Sequence, residues 1–356
     1  MASRPSRASC ARGRRAQRSR LAVVTSSVES LLHAVAASIP SPPINEIQLG
    51  VLHIKFYALC IIAGIIVATL LTNYRLSKRG AERWVVIDIC LIAVPLALIF
   101  ARAYHVLTHW SFYVGPGKNT WNPFQPGSVW AIWEGGIAIY GALIGGAIGA
   151  YLGCRWTGIR FWTFADALAP GLIIAQAMGR LGNYFNHELF GLPTNLPWGL
   201  EIESTNPAFP AGLAPGTLFH PTFLYEMIWN LIGAAVLLWA GRRFQLQWGR
   251  LFGLYLIWYG AGRAVWESIR IDPSDVFLGL RTNVWAALIG VVVGVVIMIV
   301  QKRRHPGFEA SPYMPGREPE RKGSVQSQDT PEYVDVSEPE STPAQETEAT
   351  SSLAAK

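Results

Sequence analysis

Seven apolar runs, at about residues 52–73, 84–107, 129–152, 161–180, 221–240, 249–267 and 283–301, constrain this chain more than any other feature. Each is close to the ~20 residues that a helix needs to cross a bilayer. Within hydrocarbon only helices and closed barrels satisfy their own backbone groups. The expectation is an all-α, polytopic membrane protein with seven transmembrane helices. Composition agrees, since 15% of the residues are charged against about 25% in soluble domains. The formal net charge of +7 does not indicate a nucleic-acid partner, because the basic residues sit in short clusters between apolar runs. Cys10, Cys60, Cys90 and Cys154 show no CxxC or zinc spacing, and the three in or beside apolar runs read as small buried hydrophobes.

Loop charges set the orientation. Arg75, Lys78, Arg79 and Arg83, then Arg155 and Arg160, then Arg242, Arg243 and Arg250, and finally Lys302, Arg303 and Arg304 alternate with loops poor in Lys and Arg. The basic loops belong inside. Seven spans then place the N-terminus outside and the C-terminus in the cytoplasm. Residues 1–22 contain seven arginines and oppose that orientation. They read as a disordered extension upstream of the working start, with translation expected near Val23 or Val24. Residues 23–50 read as an interfacial segment, 51–304 as the membrane domain, and 305–356 as a disordered acidic tail. No cleavable signal peptide is evident. The loop at about 181–220, with Pro193, Pro197, Pro207, Pro210 and Pro215, has the composition of an outer lid or arm.

The polar residues inside the runs carry the chemical information. At 1.5 Å per residue, Arg180 lies roughly 25 Å from the inner face, Arg102 roughly 27 Å and Arg263 roughly 21 Å. Tyr57 and Tyr140 enter from the outer side, roughly 9 and 16 Å deep. Asp88 and Asp166 fall near inner helix ends, where a helix N-terminus tolerates a carboxylate. Arginines in the hydrocarbon zone usually mark a substrate path. Arg263, Glu267 and Arg270 are spaced to share one helix face, so Glu267 can pair with either arginine. A structural ion-pair cluster is as good a reading for Glu267 and Arg270 as a functional one. At His220-Pro221-Thr222-Phe223-Leu224-Tyr225-Glu226, His220 reads as a cap, Tyr225 equally as an interfacial aromatic or a site residue, and Glu226 as a carboxylate in need of a partner. The glycines around Tyr140 read as close helix packing, while the Tyr140 hydroxyl needs a hydrogen-bond partner.

Taken together, Gly179-Arg180-Leu181-Gly182-Asn183-Tyr184-Phe185-Asn186-His187-Glu188, Trp133-Glu134-Gly135-Gly136, His220-Pro221-Thr222 with Tyr225-Glu226, and Tyr259-Gly260 with Arg263, Glu267 and Arg270 resemble the bacterial prolipoprotein diacylglyceryl transferases over roughly residues 50–304. The resemblance implies an enzyme of the bacterial plasma membrane that needs no metal or soluble cofactor. Its substrates would be phosphatidylglycerol and prolipoprotein signal peptides with a lipobox cysteine. The diacylglyceryl group would pass to the thiol as a thioether, and glycerol 1-phosphate would leave. It also implies phosphate binding by Arg180 and Arg263, a headgroup site shaped by Asn183 and Glu188, and lining by Tyr57 and Arg102. Glu267, Arg270, His220, Tyr225 and Glu226 complete the expected substrate site. Many members of the family have histidine where Tyr140 stands, and that histidine has been proposed as the base.

A tyrosine of pKa ≈ 10 is a poor proton acceptor at neutral pH. The reading is therefore electrostatic: Arg180 and Arg263 stabilise the departing phosphate and raise the thiolate fraction of the acceptor, while Tyr140 orients. A transporter predicts an internal repeat and polar residues on both sides of the midplane, and neither is seen. An intramembrane protease needs a Ser/His or paired-Asp site, and no apolar run offers one. A scaffold has no need of arginines in the outer half of several helices.

Overall fold

Seven α-helices of 18 residues or more stand among the described residues of this computed structural model, which are 38–49, 52–115, 118, 120–272 and 274–319. They are α1 (Phe56–Lys78), α2 (Val85–Thr108), α3 (Ile139–Thr157), α4 (Phe161–Phe185), α5 (Thr222–Arg243), α6 (Arg250–Glu267) and α7 (Thr282–Arg304). Five of them, α1, α2, α4, α5 and α7, are long and apolar enough to cross a membrane. The chain is thus mostly helical and polytopic. The expectations for residues 1–37 and 320–356 lie outside the described residues.

Two helix starts correct the apolar runs. Residues 52–55, expected to open the first span, form strand β2 (Leu52–Lys55), which pairs antiparallel with β1 (Glu46–Leu49). The sequence Leu-His-Ile-Lys alternates apolar and polar residues, the period of a strand rather than a helix. Tyr57 consequently sits at the mouth of α1, not two turns into a helix. Residues 129–138, expected within the third span, are loop with one 3-10 turn at Ile132–Glu134. Gly135 and Gly136 take φ of 94° and 71°, left-handed values that no α-helix contains. The helix cannot begin before them, so Tyr140 is the second residue of α3 and the depth of about 16 Å does not apply.

The chain divides into two compact units. One comprises Leu76–Phe161 and the described residues from Gln301 onward. In it α3 lays a stripe of glycines, Gly141, Gly145, Gly149 and Gly153, against α2. A methyl group at Gly149 would lie 2.6 Å from the Ala93 Cα, and at Gly153 2.9 Å from the Ile89 Cα. The helices touch backbone to backbone, the approach that small residues permit in membranes. Residues 305–319, expected to be a disordered tail, pack against this unit. Arg160 donates its backbone N–H to Pro312 O at 2.8 Å and its Nε to Tyr313 O at 2.7 Å. The Tyr313 hydroxyl accepts the Glu82 N–H at 2.8 Å, and burial pushes its pKa up, so it stays a neutral acceptor. This irregular path has no periodicity, and therefore left no pattern in the sequence.

The other unit comprises the described residues up to Arg75 and Trp162–Val300. Its α4, α5 and α6 enclose Ala169, Ile173, Ala234, Leu237, Leu251 and Tyr255. Asp166, fully buried on α4, accepts the backbone N–H of Gly249 at 2.8 Å and of Phe252 at 2.9 Å. It therefore caps the N-terminus of α6 rather than its own helix, supplying a carboxylate where the orphan N–H groups gather. Trp229 of α5 and Trp258 of α6 stack at 4.6 Å, and each indole N–H donates to the other's carbonyl at 3.1 Å. Beyond α4 the chain forms a small patch in which Ile39, β3 (Leu200–Glu201), β4 (Leu218–Phe219) and Pro193 pair in series. Phe190, Leu200, Ile202, Phe219 and Phe223 fill it. The segment expected to be a lid from residue 181 is thus helical to Phe185 and afterwards a folded platform with its own core.

The glycine stripe makes a checkable distinction. Gly149→Ala should cost about 1–3 kcal/mol of stability through overpacking, read as a lower thermal midpoint in detergent. Gly146→Ala, whose new methyl would meet only Ala97 at 3.7 Å, should leave the midpoint unchanged or raised.

Candidate functional site

Two carboxylates organise the polar interior of the larger unit. Glu226 lies on the second turn of α5 and is 4% exposed. Its Oε2 accepts Arg180 Nε at 2.7 Å, and its Oε1 faces Arg263 Nη1 at 3.5 Å. Glu267, the last residue of α6, is wholly buried. It meets Arg263 Nη2 at 2.6 Å, Arg270 Nη1 at 3.4 Å and Arg281 Nε at 3.3 Å, and accepts Asn283 Nδ2 at 2.9 Å. Asp272 extends the set, taking a forked pair from Arg270 at 2.7 and 2.9 Å and facing Arg281. Residues from α4, α5, α6 and the start of α7 are thereby tied into one network. Four arginines face three carboxylates in it. Arg263 Nη1 is buried and makes no hydrogen bond.

Next to this network Arg180 Nη1 donates to Asn183 Oδ1 at 3.1 Å, and Asn183 Nδ2 passes the link to Glu188 Oε1 at 2.9 Å. Asn186 Nδ2 also donates to Glu188, at 3.2 Å. Glu188 can turn back because the residues on either side of it, His187 and Leu189, have φ of 52° and 59°. Non-glycine residues hold such angles at a cost of order 1–3 kcal/mol each, and they cluster at functional sites. The ring of Tyr57 lies on Gly182, where a methyl group would come within 2.7 Å of the ring. Tyr259 is close enough to Arg180 to hydrogen-bond it.

The structure thus brings together Arg180, Asn183, Glu188, Glu226, Arg263, Glu267 and Arg270, with Tyr57 alongside. Arg270 does so from beyond the helix, since α6 ends at Glu267; the expected single helix face accounts only for Arg263 and Glu267. His220 and Tyr225 form a neighbouring group. The Tyr225 hydroxyl meets His220 Nδ1 at 3.3 Å and accepts Trp198 Nε1 at 3.0 Å, and its ring lies 5.6 Å from that of Trp266.

Arg102 and Tyr140 belong to the other unit. Arg102 donates Nε to Val129 O at 2.7 Å, Nη2 to Ser128 O at 2.8 Å, and Nη1 to Gly135 O at 2.7 Å and Gly136 O at 3.1 Å. Its guanidinium holds the loop before α3. Tyr140 packs at 6.2 Å from the Tyr104 ring.

Sequence reasoning missed Arg281, Asp272 and Asn283 as site residues. Arg281 lies 14 residues past Glu267, a separation with no helical meaning. A hairpin of β5 (Val276–Phe277) and β6 (Leu280–Arg281) returns it, through a turn whose two residues, Leu278 and Gly279, both have positive φ. Leu-Gly is a weak form of the two-residue hairpin signal. Among the described residues no group of three or more His, Cys, Asp or Glu side chains is placed to hold a metal ion.

Comparison with known proteins bears on what this network does. Residues 45–300 match the model of the prolipoprotein diacylglyceryl transferase family. A phosphatidylglycerol--prolipoprotein diacylglyceryl transferase of Leifsonia xyli subsp. xyli is 62% identical over 287 residues, covering 79% of this chain and 86% of the relative. Enzymes of the same name from Paenarthrobacter aurescens and Cutibacterium acnes are 45% and 47% identical, covering 75% of this chain in each case and 84% and 88% of the relatives.

Removing one member of a buried ion pair leaves its partners uncompensated, at about 3–5 kcal/mol. Glu267→Gln should therefore lower the thermal midpoint strongly even without lipid. Glu203→Gln, which removes the half-exposed partner of His187, should cost less than about 1 kcal/mol. Thermal unfolding of both variants in detergent checks the contrast.

Proposed function

Because the chain belongs to the prolipoprotein diacylglyceryl transferase family, we propose that it moves the diacylglyceryl group of phosphatidylglycerol onto the lipobox cysteine of a prolipoprotein. The acceptor sulfur, as thiolate, attacks the glyceryl carbon that bears the phosphate. A C–S bond forms, the C–O bond to phosphate breaks, and glycerol 1-phosphate departs with the electron pair; the thiol proton goes to solvent or to the product phosphate. Seven spans, with the N-terminus outside and the C-terminus in the cytoplasm, put Arg180 and Arg263 in the outer half of the bilayer, within reach of an outer-leaflet lipid headgroup.

The observation that carries this reading is the Glu226 bridge between Arg180 and Arg263. It holds guanidinium groups of two different helices together, and the Arg263 Nη1 that faces it at 3.5 Å makes no hydrogen bond. A phosphodiester brings a single negative charge to these guanidinium groups. As the C–O bond breaks, a second charge develops on the phosphate. Preorganised arginines stabilise it most where water is excluded, and guanidinium grips phosphate oxygens with forked bonds. The same field favours the thiolate of the incoming cysteine. Tyr140 orients a substrate group in this account and takes no proton. Asn183 and Glu188 brace Arg180; Glu267, Arg270 and Arg281 brace Arg263.

With phosphatidylglycerol and a lipobox peptide, purified protein should lipidate a Cys acceptor and not its Ser counterpart. Arg263→Gln and Arg180→Gln should each lower turnover by about 100-fold or more, the usual scale for losing a charge-stabilising donor. Tyr140→Phe should keep most of the activity. Intact turnover in Arg263→Gln would sink the electrostatic account.

A further inference from the structure

One helical turn from the arginine layer lies a second polar layer whose groups are not used up by the protein. Two contacts fix how α4 and α5 face each other. Arg180 meets Glu226, and seven residues further along each helix a methyl group on Gly233 would lie 2.7 Å from Ile173 Cδ1. The rungs run 180 with 226 and 173 with 233, so the helices are antiparallel. Gln176 and Asn230 occupy the facing stripes between these rungs. On α6 the same spacing repeats: Tyr259 stands beside Arg180, and Tyr255, one turn away, accepts Gln176 Nε2 at 2.9 Å. The layer below is apolar, with Ile173, Ala234, Leu237 and Leu251 buried as a floor.

Asn230 is 2% exposed and its Nδ2 has no hydrogen-bond partner; Gln176 Oε1 is likewise buried and unpaired. Turning the Gln176 amide over exchanges an acceptor for a donor but still leaves one end free. An unpaired buried amide costs about 1–3 kcal/mol, and two in one layer call for an occupant that offers both a donor and an acceptor. Hydroxyl groups do so. The layer contains no charged side chain, which suits a neutral group and not an ammonium.

We infer that Gln176 and Asn230 form the subsite for the hydroxyls of a glycerol headgroup whose phosphate is held by Arg180 and Arg263. This rests on the transferase reading above. Four residues of helix rise put the layer about 6 Å below the arginines, the reach of a three-carbon headgroup beyond its phosphate. The pair then selects the donor lipid: a hydroxyl-free headgroup leaves Gln176 Oε1 and Asn230 Nδ2 unpaired, and sites built to bond a hydroxyl reject analogues that lack it.

The test compares phosphatidylglycerol with phosphatidylpropanol, which has the same charge and carbon count but no headgroup hydroxyl. Wild-type protein should favour phosphatidylglycerol in kcat/KM by about tenfold or more, the scale of one to two hydrogen bonds. Asn230→Leu and Gln176→Met should erase that preference, read as a fall in the ratio of the two kcat/KM values because phosphatidylglycerol slows more than phosphatidylpropanol. Asn230→Ser, which keeps a donor, should restore part of it. A preference that survives in both apolar variants, or an equal loss on both lipids, would overturn the inference and leave a water-filled or purely structural layer. If an apolar variant does not fold, the wild-type comparison still decides, because equal use of the two lipids overturns the subsite. Wild-type protein that turned over neither lipid would mark a different failure, that of the transferase reading itself.

Discussion

Keeping guanidinium groups inside a membrane protein depends on carboxylates that cannot leave. Glu226 and Glu267 are almost sealed from solvent, and each holds more than one arginine. Neither charge is tolerable alone in such a place, because desolvation of an unpaired ion exceeds what packing returns. The network is therefore an all-or-none assembly. It braces α4, α5 and α6 against one another.

Such a network keeps its geometry only if its members are held still. The supports are distributed and mostly uncharged. Asp166 fixes the start of α6 through two backbone N–H groups, and the reciprocal Trp229–Trp258 bonds lock α5 to α6 midway. The platform beyond α4, filled by Phe190, Phe219 and their neighbours, anchors the strained turn that presents Glu188. Preorganised donors of this kind need no realignment when charge develops beside them. The Gln176–Asn230 layer extends the logic from charge to shape, placing neutral hydrogen-bonding groups one turn from the cations.

Much of this was legible before any coordinates of the helices were known. Runs of hydrophobic residues report helices because lipid leaves the backbone no alternative, and each long helix overlaps one run. Arg180, Arg263, Glu226 and Glu267 stood out because polar residues in apolar runs are costly, and the structure gathers all four. The misses share a cause too. Arg281 reaches Glu267 through a hairpin, Asp166 acts on another helix, and Tyr313 holds an irregular segment; none of these relations has a period along the chain. Arg102 stood out for the same reason as Arg180, yet its donors go to loop carbonyls, because cost marks a residue as needing a partner without saying which.

The amino-acid sequence by itself determined a helical membrane protein with arginines at awkward depths, since hydrophobic length and the cost of buried charge are properties of single segments. Only the tertiary structure decided which carboxylate meets which arginine, where α1 and α3 begin, and which polar groups remain unpaired beneath the site. Those outcomes depend on distances between segments far apart in the chain, and such distances exist only once the helices have packed.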